Sequence, residues 1–152
     1  MLPPRRILCP TDFGETAQAA LRSAIELAVI FCAELVLMHV VDPLPCAISC
    51  PGSSGLGVVL CAPILADSIE SAKGTLRRLA AELLPAGLAY RERVDLGSPA
   101  ARILEAARSE KSDLIVMGMR PRSWLRRCFR PSPTLAVARD ASCPVWVVHR
   151  TA

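Results

Sequence analysis

SPAARILEAARSEKSDLIVMG (residues 98–118) changes character part-way along. Ser98 is an N-cap residue type and Pro99 suits the first helical position, so residues 98–112 read as a helix. DLIVMG (113–118) is then a short, unbroken apolar run. A run of that length, closed by a glycine, reads as a strand covered on both faces. A helix feeding a fully buried strand is half of a parallel βαβ unit.

The pattern repeats in both directions. RRILCP (5–10) is a short apolar run, read as the first strand. ETAQAALRSAIELAVIFCAE (15–34) follows, with Ala17, Ala20, Leu21, Ala24, Leu27, Ala28 and Phe31 at three- and four-residue steps, the helical period. ELVLMHVV (34–41) is a second buried strand. Residues 42–63 are rich in proline and glycine and read as one long irregular segment. A second amphipathic helix spans 64–84, and GLAYRERVDLG (87–97) is the third strand. After the strand at 113–118, a short helix is expected over about 133–141. CPVWVVHR (143–150) closes the series. Strands alternating with helices give a doubly wound α/β fold, an open parallel sheet with right-handed crossovers and helices on both faces. Ligands of such sheets bind outside the carboxyl ends of the strands.

A chain of 152 residues, 52% of them hydrophobic, suits one domain with a full core, here 1–152. No apolar stretch is long enough to span a membrane, and MLPPRRILCPTDF (1–13) lacks the apolar stretch of a signal peptide, so the expected compartment is the cytoplasm. Of the seven cysteines, Cys9, Cys32 and Cys143 lie in or beside apolar segments and read as small hydrophobes. Cys46 and Cys50 have no histidine or second pair at metal-like spacing, so no metal site is expected. No serine or cysteine sits in a nucleophile-elbow motif, so the chain does not read as an enzyme.

ILCPTDFGETAQAAL (7–21), ELVLMHVVDP (34–43), VDLGSPAARILEAARSEKSDLIVMG (94–118) and CPVWVV (143–148), in this order and spacing, resemble the universal stress protein family over essentially the whole chain. The resemblance implies a five-stranded, Rossmann-like sheet ordered 3-2-1-4-5, a homodimer, and a role in stress adaptation. Some members bind ATP between the loops after strands 1 and 4. Those members carry Gly, two residues, Gly, nine residues, then Gly followed by Ser or Thr. Here Gly118 holds the first place, Pro121 the second and Pro131 the third, and Ser132 keeps the hydroxyl. Glycine permits positive φ and backbone N–H groups aimed at phosphate, whereas proline fixes φ and has no N–H. The expectation is therefore a regulatory module that binds nucleotide weakly or not at all. An ATP-binding switch with at most slow incidental hydrolysis is the alternative. By resemblance, its cleft would use Thr11, Asp12, the backbone of Val40 or Val41, Gly118, Ser132 and Thr134.

Five arginines crowd residues 120–130. Arg120 and Arg122 flank Pro121, and guanidinium forks suit phosphate. An arginine-loop adaptor for nucleic acid or an acidic protein is thus a further alternative, although Trp124 among the arginines is thin support for nucleic acid. The plain reading of the loop's end is that Ser132 caps, and Pro133 begins, the last helix. Asp12 with Glu15 reads equally as a capping box for the first helix. His39 reads as a satisfied structural residue. GSSGLG (52–57) lacks the lysine of a phosphate loop and reads as linker. In the implied strand order, strands 3 and 5 are edges. Strand 3 is blunted by charge, whereas Val145, Trp146, Val147 and Val148 leave strand 5 open to pair with a second copy.

Overall fold

The computed structural model describes residues 3–43, 56–119 and 132–149, and of 56–62 the backbone alone. Strand β1 (Arg6–Pro10) leads through a turn into helix α1 (Glu15–Phe31), and β2 (Glu34–Val41) follows. Helix α2 (Leu56–Leu83), β3 (Tyr90–Leu96), α3 (Pro99–Ser109), β4 (Leu114–Met119), α4 (Pro133–Asp140) and β5 (Val145–His149) complete the order. The five strands form one parallel sheet in the order β3-β2-β1-β4-β5, as the resemblance implies.

Strand alternation divides the core in two. Ile7, Cys9, Leu35, Leu37, Leu114 and Val116 face α1 and α2, where Leu21, Ala24, Leu76 and Ala80 meet them. Leu8, Val36, Met38, Ile115 and Met117 face α3 and α4, against Ile103, Ala106 and Val137. The three inner strands are thus covered on both sides, which is why they read as unbroken apolar runs. No helix among the described residues is long and apolar enough to cross a membrane.

Three local expectations are corrected. Helix α2 begins at Leu56 and runs through Pro63, inside the stretch expected to be irregular. Proline removes one helical donor, but Ala72, Leu76 and Ala80 further along bury the helix's apolar stripe against the sheet. Helix α1 stops at Phe31, because Cys32 takes the left-handed conformation (φ 52°) and Ala33 N–H returns to the Ala28 carbonyl at 2.9 Å. Cys32 is consequently exposed and is not a core residue. The capping box is absent too: the N-cap of α1 is Gly14, with no side-chain cap bond. Ser98 and Ser132 do occupy N-cap positions, followed by Pro99 and Pro133, but neither side chain caps. Cys9 is fully buried, and burial pushes its thiol up to about 12, which leaves it an inert hydrophobe.

The amino ends of the inner strands are tied by charge. Glu34 accepts from Arg6 Nε at 2.8 Å and from an Arg91 guanidinium nitrogen at 2.9 Å. Arg93 joins Asp95 and Glu110, and the Asp113 carboxylate accepts from the backbone N–H of Arg5 and Arg6. The Arg91 hydrogen bond, then Arg6, holds the Glu34 carboxyl down at about 2, from an ordinary 4.5. A depressed folded-state pKa stabilises above the unfolded value and is lost as pH falls through the folded one. Both partners lie near the surface, with Arg91 half exposed, so solvent and salt screen the contribution to the small one of an exposed ion pair. Urea midpoints should therefore fall between pH 4.5 and 2 in the wild type, and Glu34→Gln should flatten that limb. Parallel acid limbs for the two proteins would show the pair to be energetically silent.

Candidate functional site

The carboxyl ends of β1 and β4 lie side by side, since Ile7 pairs with Leu114 and Leu8 with Ile115. Carrying that register forward brings Thr11 level with Gly118. Thr11 is buried, and its N–H donates to the Met38 carbonyl at 2.7 Å. Its hydroxyl oxygen accepts from Phe13 N–H at 3.0 Å. Asp12 is exposed, and its Oδ1 accepts from Gly14 N–H at 2.9 Å. The two side chains thus shape the turn between β1 and α1, a local hydrogen-bonding role typical of Thr and Asp.

Across the cleft, the Thr134 hydroxyl donates to the Gly118 carbonyl at 2.9 Å. Thr134 and Ser132 are both buried at the start of α4. Gly118 and Thr134 therefore meet, with Ser132 beside them at the N-cap of α4, while Thr11 and Asp12 follow the end of β1. Val40 and Val41 end β2 on opposite faces. Val40 packs into the α3–α4 core, and the Val41 carbonyl accepts from Gly97 N–H at 2.9 Å. Arg120, Arg122, Pro121, Pro131 and Trp124 lie outside the described residues, as do Cys46, Cys50 and most of GSSGLG.

Gly118 has a reason of its own. A Cβ built on it would lie 2.4 Å from the Thr16 carbonyl oxygen and 2.6 Å from its carbon. The first turn of α1 rests directly on the backbone of β4, and only glycine admits that approach. Nothing in the sequence alone separates this packing demand from a phosphate-binding one.

Sequence reading left His39 without a named partner. Its Nδ1 lies 2.8 Å from the Thr11 carbonyl oxygen, and its ring stacks on Phe13 with centroids 4.3 Å apart. Phe13 and His39 also border a groove of about 470 Å³, completed on the α2 side by residues including Asp67, Ser71 and Thr75. The groove lies on the α1–α2 side of the sheet, behind the turn that carries Asp12.

The chain is similar to known proteins over nearly its whole length. The sequence model of the Universal stress protein family matches residues 3–149. Universal stress protein MJ0531 of Methanocaldococcus jannaschii is 30% identical over 96% of this chain and 82% of its own length. The solved structure of MJ0577 from the same organism superposes with a TM-score of 0.75 at 28% identity, covering 97% of each chain. A universal stress protein solved in complex with cAMP shares the fold, with a TM-score of 0.62 at 22% identity over 96% of this chain and 97% of its own.

Proposed function

We propose, for a chain that belongs to the universal stress protein family, a regulatory module of stress adaptation whose cleft above β1 and β4 takes an adenine nucleotide weakly and without turnover. One observation carries this reading. The single glycine retained from the family's nucleotide loop, Gly118, is demanded by the packing of α1 and needs no phosphate to explain it. With Pro121 and Pro131 at the other two places, the sequence keeps none of the loop's glycines for phosphate alone. Thr134 supports the same view, because its hydroxyl proton is committed to the Gly118 carbonyl. Thr11, Asp12 and Val40, which follow or end β1 and β2, suit a base or ribose more than a triphosphate. Calorimetry with Mg-ATP tests this. The expected result is no binding in the low micromolar range; a clear low-micromolar isotherm would replace this reading with that of an ATP-dependent switch.

The same reading has the protein work in the cytoplasm as a two-fold dimer through β5. Within the sheet β5 is an edge, paired with β4 alone. Ile115 N–H donates to the Pro144 carbonyl, so Pro144, Trp146 and Val148 turn their backbone groups toward β4. The backbone groups of Val145, Val147 and His149 then point away from the sheet. Trp146 is 51% exposed beside them. An edge of valines and Trp146 whose outer backbone groups face away from β4 favours pairing with a second copy, and closed two-fold contacts are the commonest oligomers. Val147→Pro removes an outward N–H while leaving the β4 ladder intact, so it should shift the species to monomer in sedimentation at micromolar concentration. A wild-type monomer under those conditions refutes the dimer.

A further inference from the structure

We infer that His39 is a positioning residue, which fixes the turn between β1 and α1 on which Asp12 is carried. Alternation along β2 puts His39 on the α1–α2 face with Leu35 and Leu37, beneath that turn. The Thr11 carbonyl can only accept, so at 2.8 Å it requires the proton on Nδ1 and sets the tautomer of the ring. The same imidazole lies flat against Phe13, with an interplanar angle of 23°. Phe13 needs the support, because its φ of 64° lies in the left-handed region. Bulky residues hold that conformation only where the surroundings over-determine it.

The turn itself supplies two bonds, Phe13 N–H to Thr11 Oγ1 and Gly14 N–H to Asp12 Oδ1. Both are local, and neither ties the turn to the sheet. Two ties to β2 are the backbone bond from Thr11 to Met38 and the side chain of His39. The backbone bond is available to any residue at position 39. The grip on the Thr11 carbonyl needs a donor at the δ position, and the face offered to Phe13 comes from the flat ring. His39 thereby sets where the Asp12 carboxylate stands at the mouth of the cleft. The purpose of this placement rests on the cleft reading given above, but its test does not.

Amide hydrogen exchange reads the turn with no ligand present. His39→Leu keeps bulk and removes the donor. His39→Asn carries its amide nitrogen to the position of Nδ1, and His39→Gln carries it one atom too far. Loss of one net hydrogen bond predicts exchange at Phe13 and Gly14 about three- to tenfold faster in His39→Leu, with the sheet amides of Ile7 and Leu37 unchanged. His39→Asn should keep most of the wild-type protection. Wild-type rates in His39→Leu overturn the inference, as do equal rates in His39→Asn and His39→Leu. Should His39→Leu loosen the sheet as well, the other pair decides: slow exchange in Asn with fast exchange in Gln supports the role, and equal rates overturn it. ATP titration of the wild type separately decides the cleft reading, so the two can fail independently.

Discussion

Gly118→Ala should destabilise the fold by about 3 kcal/mol with no nucleotide in solution, a loss at the upper end of what overpacking costs. The atoms that its Cβ would strike are the carbonyl oxygen and carbon of Thr16, at 2.4 and 2.6 Å, and the Ala17 nitrogen at 3.1 Å. All three belong to the main chain of α1, so no side-chain rotation relieves the contact. The helix must lift, and Ala17, Ala20, Leu21 and Ala24, all buried beneath it, lift with it. For a chain of this length the melting temperature should drop by about 6–12 °C. Gly74 is the control, since a Cβ there meets nothing within 4 Å. Gly74→Ala, on the same scale, should cost no stability. Urea unfolding of both variants, with and without ATP, is the measurement. An unchanged midpoint in Gly118→Ala would return the glycine to a ligand-binding role and remove the main support for weak nucleotide affinity.

The case of Gly118 shows where sequence reading stops. Its place at the end of an apolar run marked the carboxyl edge of a strand, and that is where β4 ends. The demand on its missing side chain comes from Thr16, distant along the chain, and no local pattern encodes such a contact. The inner strands were legible because a sheet covered on both faces needs continuous apolar residues, as ELVLMHVV provides. Helix ends were less so. Cys32 adopts the left-handed conformation usually marked by glycine, so nothing in FCAE announced the end of α1. Gly57 and Pro63 suggested irregular chain, whereas α2 passes through both, stabilised by burial further along. Asp12 and Glu15 have capping-box spacing, yet the carboxylate of Asp12 bonds Gly14 N–H and shapes the turn. Residue types along the chain put Thr11, Asp12, Gly118, Ser132 and Thr134 at strand ends and helix starts, and Thr134 does meet Gly118 there. The link from His39 to Thr11 joins β2 to the turn after β1 and became visible only with the register of β1 and β2.

Restoring both glycines, Pro121→Gly with Pro131→Gly, should raise the affinity for Mg-ATP by about one to four decades. Each proline denies the loop one backbone N–H and fixes φ near −65°, so it can neither donate to a phosphate oxygen nor enter the positive-φ conformations that turn neighbouring donors inward. A hydrogen bond to a charged acceptor contributes about 1.5–3 kcal/mol, and two such bonds give about 3–6 kcal/mol. Opposing this, a glycine at each place frees the unbound loop and gives back about 0.4–1 kcal/mol apiece. The arginines set the other limit. Arg120 and Arg122 flank Pro121 in the chain, and a guanidinium fork can hold phosphate without any help from the backbone. Were they already doing so, the wild type would bind ATP in the low micromolar range and the added glycines would change little. Calorimetry should therefore compare ATP, ADP and adenosine on both proteins. The gain should be largest for ATP and absent for adenosine, because the restored donors face only phosphate. A double variant that gains nothing for ATP, or gains equally for adenosine, would mean that the prolines are not what keeps nucleotide out of the cleft.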